Sequence, residues 1–226
     1  MQQVFQALKE YIKKKRLTIP LIVVTVYLLL VHVVWGKSLS RRFMYLNLVF
    51  YLFIANYYFG CFRERHFLDG VKTLKRFLAG GFLALCCLHV AAVGRNFLIR
   101  FCLDQWHEHG MIDQYVTESY LTFTLYSFIV LILIPIGEEL FFRYAMISFA
   151  SKKETALTVI FSILLYVAMN ANYWTGLMTL TLPVLVYTIC YLLTKNIYLT
   201  ILIHIINSIV LNGEFIGYAF ARMIYR

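Results

Sequence analysis

Charge is scarce in this chain: only 14% of its 226 residues are Asp, Glu, Lys or Arg, and only three are proline. Soluble globular domains carry about a quarter charged residues, so a water-exposed surface is excluded over most of the length. Cysteine is also limited, to Cys61, Cys86, Cys87, Cys102 and Cys190. Their odd number and scatter give neither a disulfide framework nor the spacing of a zinc knuckle, which leaves them as apolar packing residues. Internal repeats, low-complexity tracts and domain linkers are lacking too. Residues 1–226 therefore read as one integral membrane domain.

What is present is apolar, 62% of the chain, arranged in blocks close to the ~20 residues that a helix needs to cross the hydrocarbon. These blocks cover residues 18–35, 43–62, 77–94, 119–136, 155–171, 176–193 and 197–212. Between the fourth and fifth lies a shorter segment, ELFFRYAMISFA at 139–150, helical in composition but charged. If it crosses as well, the fold is an all-α membrane protein, a bundle of about eight transmembrane helices with a polar intramembrane site.

The formal charge of +10 sits in short clusters between apolar blocks rather than on one face, so it signals topology in a lipid bilayer and not a nucleic-acid partner. Lys9, Lys13, Lys14, Lys15 and Arg16 precede the first block without a small-residue cleavage site after it, as expected for an uncleaved span with its amino end inside. The loop at 63–76 holds five basic residues, whereas 95–118 sets Arg95 and Arg100 against Asp104, Glu108, Asp113 and Glu118. With eight helices, both termini are expected to be cytoplasmic, and Glu138, Glu139 and Asn170 to share the cytoplasmic side. A chain this compact and basic fits a bacterial plasma membrane. The residues at 214–226, alternately apolar and basic, suit a segment lying on the lipid surface.

A charge inside a bilayer costs at least ~2.5 kcal/mol, so Glu138, Glu139 and Arg143 within IPIGEELFFRYAM require an explanation. Glu139 and Arg143 are four apart and share a helix face, whereas Glu138 points about 100° away from Glu139. Pairing of Glu139 with Arg143 leaves Glu138 to face a pocket, where a carboxylate can act as general base on water. The plainer reading is an ion-pair bolt between helices. A bolt needs one acid and one base, and the second carboxylate is surplus to it.

The pattern Glu-Glu-x-x-x-Arg after an apolar span, PIGEELFFR here, resembles the first signature of the CAAX protease and bacteriocin-processing intramembrane endopeptidases. The resemblance covers a core at about 119–212. It implies a second signature, an aromatic followed four residues later by His, and a third, His followed four later by Asn or Asp. In FSILLYVAMN, Tyr166 falls on the aromatic and Asn170 stands where that family has its histidine. In NIYLTILIHIINSIVLN, His204 falls on the third-signature histidine, with Ser208 four later and Asn207 one residue early.

By that resemblance, Glu138, Glu139, Arg143, Asn170, His204 and Asn207 form the catalytic set, and Glu138 with His204 could hold a divalent metal such as zinc. Asn170 can exchange hydrogen bonds, but it cannot take up a proton and its amide is a poor zinc ligand. Two functions follow. One is an intramembrane endopeptidase acting on a peptide or membrane-protein substrate, with Glu138 as base. The other is a proteolytically inactive relative that regulates a membrane partner, such as a sensor kinase, a bacteriocin or an immunity system, by helix-helix binding. A small transporter would show a repeat and paired broken helices, and neither is readable.

Overall fold

The computed structural model describes residues 10–13, 16–30, 40–60, 74–102, 119–170 and 174–225, and the regular elements among them are helical. This is the structure that lipid demands, because a helix satisfies its own backbone hydrogen bonds where water is missing. Seven helices follow in chain order: α1 (Thr18–Leu29), α2 (Ser40–Tyr57), α3 (Leu74–Cys102), α4 (Tyr120–Ala145), α5 (Lys152–Asn170), α6 (Trp174–Thr194) and α7 (Ile197–Ile224). Among the described residues, Phe77–Gly94, Tyr120–Ala145 and Ile197–Glu214 are long and apolar enough to cross a membrane. Shorter apolar helices cover Thr18–Leu29, Met44–Tyr57 and Thr181–Thr194. Large apolar side chains such as Phe82, Leu83, Val90 and Leu164 are exposed, as on a lipid-facing surface. The chain is an integral membrane protein.

The charged segment after Glu138 does not form a helix of its own. It continues α4, which starts at Ser119, whose hydroxyl accepts from the Leu121 N–H, and runs 26 residues to Ala145. The helix is not uniform: it widens to π geometry over Ile129–Leu133, returns to α over Ile134–Glu138, and widens again over Glu139–Ala145. Pro135 offers no N–H to the preceding turn, and the Ile134 amide reaches the Ile129 carbonyl five residues back. Widening keeps the helix intact across the proline. At about 1.5 Å per residue, α4 is ~39 Å long and has length to spare beyond the membrane core.

The Tyr11 hydroxyl donates to the carbonyls of Ala145 and Met146 at 3.0 and 2.8 Å, at the last turn of α4. Burial pushes that hydroxyl's pKa well up, keeping it a donor. At the first turn of α4, the Tyr120 hydroxyl donates to Met223 O at 3.4 Å. Tyr11 and Met223 thus lie at opposite ends of α4.

Helix α5 lies against the second half of α4, with Ser162 at Phe142 and Tyr166 at Glu138, and Asn170, its final residue, follows one turn after Tyr166. One expectation changes: the carboxyl-terminal stretch is no separate surface segment, since α7 continues unbroken to Ile224 with Phe220 stacked 6.0 Å from Phe123. Of the cysteines, Cys190 is buried as expected, whereas Cys86 and Cys87 are exposed on α3. Cys61 and the Cys102 side chain lie outside the described residues.

The main apolar core lies among α1, α2, α4 and α5, around Tyr27, Phe50, Tyr51, Ile54, Phe141 and Phe142. A second cluster joins α3, α6 and α7 through Ala84, Leu88, Tyr187, Cys190, Leu199 and Ile203. The buried charges lie where these two cores meet.

Candidate functional site

Helix α4 brings the acid pair and Arg143 into the interior about two turns before its end. Glu138 is 2% exposed, and Glu139 and Arg143 are 0%. The i,i+4 geometry places Arg143 Nη1 3.2 Å from Glu139 Oε1, inside the second π-widened stretch. The guanidinium is held on three further sides. Its Nη2 donates to Val184 O of α6 at 3.4 Å, and its carbon lies 5.1 Å from the Tyr166 ring and 5.6 Å from the Tyr187 ring. Arginine suits this position because its flat cation is weakly hydrated and stacks on aromatic faces.

His204 of α7 faces both carboxylates. Its Nδ1 lies 2.8 Å from Glu139 Oε1, and its Nε2 lies 3.7 Å from Glu138 Oε2. The first contact is a hydrogen bond, with Nδ1–H donating to the carboxylate; the second is too long for one. The ring stacks on Tyr187 at 4.3 Å. When both ring nitrogens carry protons, Glu138, Glu139, Arg143 and His204 sum to zero charge, the condition under which buried ions are tolerated.

Glu138 is bound by two tyrosines from different helices. The Tyr51 hydroxyl of α2 donates to Oε1 at 3.1 Å, and the Tyr166 hydroxyl of α5 donates to Oε2 at 2.9 Å. Tyr51 can lie this close because Gly137 precedes the acid pair. A Cβ at 137 would lie 2.5 Å from Cδ1 of the Tyr51 ring, closer than carbon atoms approach. Ser162 of α5 donates to Phe142 O at 2.6 Å, fastening α5 to the widened turn of α4. Five helices, α2, α4, α5, α6 and α7, therefore converge on one polar cluster.

The sequence-derived set is brought together in part. Glu138, Glu139, Arg143 and His204 form one contiguous group. Asn207 stands a turn away on α7, where its amide donates to the Tyr187 hydroxyl at 2.7 Å and so steadies the ring on which His204 stacks. Asn170 ends α5, and its side chain lies outside the described residues. Sequence reasoning missed Tyr51 and Tyr187 and read Tyr166 only as an aromatic. A tyrosine in an apolar helix resembles any other core aromatic until a hydroxyl partner from another helix is found. The surplus acid was the available signal, since a buried carboxylate must find donors.

A metal centre was expected to draw on Glu138 and His204. Their facing atoms, Oε2 and Nε2, are 3.7 Å apart, but Glu138 already accepts from two hydroxyls and His204 Nδ1 is held by Glu139. No group of three or more His, Cys, Asp or Glu that could hold a metal occurs among the described residues. Catalytic zinc sites use three protein ligands, so this donor set does not fit one.

Comparison with protein families bears on the same residues. A family model described as Type II CAAX prenyl endopeptidase Rce1-like matches residues 120–210. No curated protein and no solved structure matches the chain. The matched stretch starts at the first residue of α4 and extends into α7, and it includes every residue of the expected catalytic set. The resemblance to CAAX-type intramembrane endopeptidases holds over that stretch, while α1, α2 and α3, with Tyr51 among them, lie outside it.

Proposed function

We propose, with the Rce1-like stretch at 120–210 as premise, that this protein is a relative of the CAAX-type intramembrane proteases that acts by binding a membrane partner rather than by cutting one. The observation that carries this reading is the capture of Glu138: each of its oxygens accepts a tyrosine hydroxyl inside the bundle. A general base needs a lone pair facing its water and a partner that takes part in the proton transfer. Here His204 is tied to Glu139, and the second-signature position is Asn170, which cannot accept a proton at its amide. The cluster serves as a joint for five helices.

The partner is a membrane protein, of the sensor-kinase, bacteriocin or immunity class. It is recognised within the bilayer, where small residues and polar side chains set helix contacts. The positive-inside rule orients the chain in a bacterial plasma membrane with its amino end cytoplasmic. The last turn of α4, Lys152, Lys153 and Lys195 then face the cytoplasm, and the end of α7 faces outside.

The competing reading is an endopeptidase with Glu138 as base, favoured by the approach of His204 Nε2 to Glu138 Oε2 at 3.7 Å. Complementation of a deletion strain separates the two. Glu138→Gln restores the wild-type phenotype if the protein works by binding, and fails to restore it, at normal protein level, if the carboxylate activates water.

A further inference from the structure

A groove of about 580 Å³ opens at the end of the bundle where α4 gives way to α5. Phe149, Ala156, Val159 and Leu192 supply apolar walls, and Ser151, Lys152 and Thr155 supply a polar rim. It lies between the first turns of α5 and the last turns of α6, away from the buried acid pair, and none of the expected catalytic residues lines it.

Three features describe its occupant. The first is charge. Lys152, Lys153 and Lys195 are all exposed here, and Lys195 Nζ lies 5.2 Å from the centre of the Phe149 ring, which lines the groove. The nearby acid, Glu154, is occupied, because its Oε1 accepts from the Ser148 hydroxyl at 2.6 Å. The second is continuity with lipid. On α5, Leu157, Ile160, Phe161 and Leu164 are all more than half exposed, so an outward apolar face runs on from the helix turns that line the groove. The third is depth. The groove lies at helix ends, the level of lipid headgroups, beside the turn where Tyr11 joins the amino-terminal segment to α4. Basic recesses between helix ends on the cytoplasmic side are suited to anionic headgroups.

We propose that this groove is a binding site for one anionic phospholipid of the cytoplasmic leaflet. The phosphate lies between Lys152 and Lys195, with the Ser151 and Thr155 hydroxyls on its rim, and an acyl chain lies against Phe149, Val159 and Leu192. Among the described residues, neither lysine forms an ion pair with a carboxylate that the lipid would have to displace. A zwitterionic lipid would bring its own cation to the lysines and lose the preference.

Native mass spectrometry of the full chain, released from micelles containing phosphatidylglycerol or phosphatidylcholine of the same acyl chains, tests this. The wild type should retain phosphatidylglycerol about tenfold more strongly, a ratio equivalent to ~1.4 kcal/mol. Lys152→Gln/Lys195→Gln should bring the ratio close to one, and Lys152→Arg/Lys195→Arg should preserve it. Equal retention of the two lipids by the wild type, or a ratio unchanged in the Gln variant, overturns the proposal. Competition by inorganic phosphate as strong as by phosphatidylglycerol also overturns it, by assigning the site to a soluble anion. If the Gln variant does not fold, salt decides on the wild type alone: the preference should fall as ionic strength screens the lysines, and one insensitive to salt contradicts the proposal.

Discussion

Tyr51 donates its hydroxyl to Glu138 across 87 positions of sequence, from a helix outside the stretch that matches the protease family. The contact makes the amino-terminal helices part of the polar cluster rather than an accessory to it. Together with Tyr166, it leaves both oxygens of Glu138 engaged by protein donors.

Removing either hydroxyl should therefore be costly. Hydrogen bonds to charged groups contribute about 1.5–3 kcal/mol, and Tyr51→Phe or Tyr166→Phe should each destabilise the protein by about that amount in thermal unfolding in detergent. Because the two share one carboxylate, the double variant should depart from the sum of the single effects. Strict additivity would mean that the two tyrosines do not act on a common group.

Gly137→Ala tests the packing that brings Tyr51 to the acid. The new methyl would meet the Tyr51 ring at 2.5 Å, and the ring cannot turn aside without leaving Glu138. A loss of about 1–3 kcal/mol is expected, as for other overpacked cores. Adding Tyr51→Ala should relieve the clash, so that Gly137→Ala costs little in that background. An unchanged melting temperature for Gly137→Ala alone would contradict this packing.

Arg143 is buried among Glu139, Val184 O and two tyrosine rings. Replacing one member of a buried ion pair leaves the other uncompensated, at a cost of about 3–5 kcal/mol. Arg143→Met should fall in that range in chemical unfolding. Arg143→Lys should lose less, because it keeps the charge while giving up the flat contact with Tyr166 and Tyr187. Equal losses for the two variants would show that charge is not what the position supplies.

The donor set predicts indifference to zinc. Purified protein should contain far less than one zinc per chain, and neither a chelator nor added zinc should shift its melting temperature. Ligands that bind only the folded state stabilise it by mass action, so a zinc-dependent shift that Glu138→Gln abolishes would overturn the fit argument made from these side chains.

Apolar blocks revealed the helices, and the PIGEELFFR pattern led directly to the buried acids. The sequence did not reveal how α4 accommodates them. A charged run after a proline reads as a break, yet π widening around Pro135 lets one helix continue through Glu138, Glu139 and Arg143 to Ala145. His204 was legible through its spacing in the third signature. Tyr51 and Tyr187 were not, because hydroxyl partners are set by helix packing and leave no local pattern. Asn207 was placed near the acids by its spacing, but its neighbour is Tyr187.

The central claim is that Glu138 joins helices and does not activate water. The most direct measurement is a comparison of membrane and secreted peptides from cells carrying wild type, Glu138→Gln or a deletion, at matched protein level. The account predicts that Glu138→Gln gives the wild-type peptide pattern, with no precursor accumulating. Accumulation of one precursor in both Glu138→Gln and deletion cells, with its cleaved product present only in wild type, would contradict it and restore this cluster as a hydrolytic site.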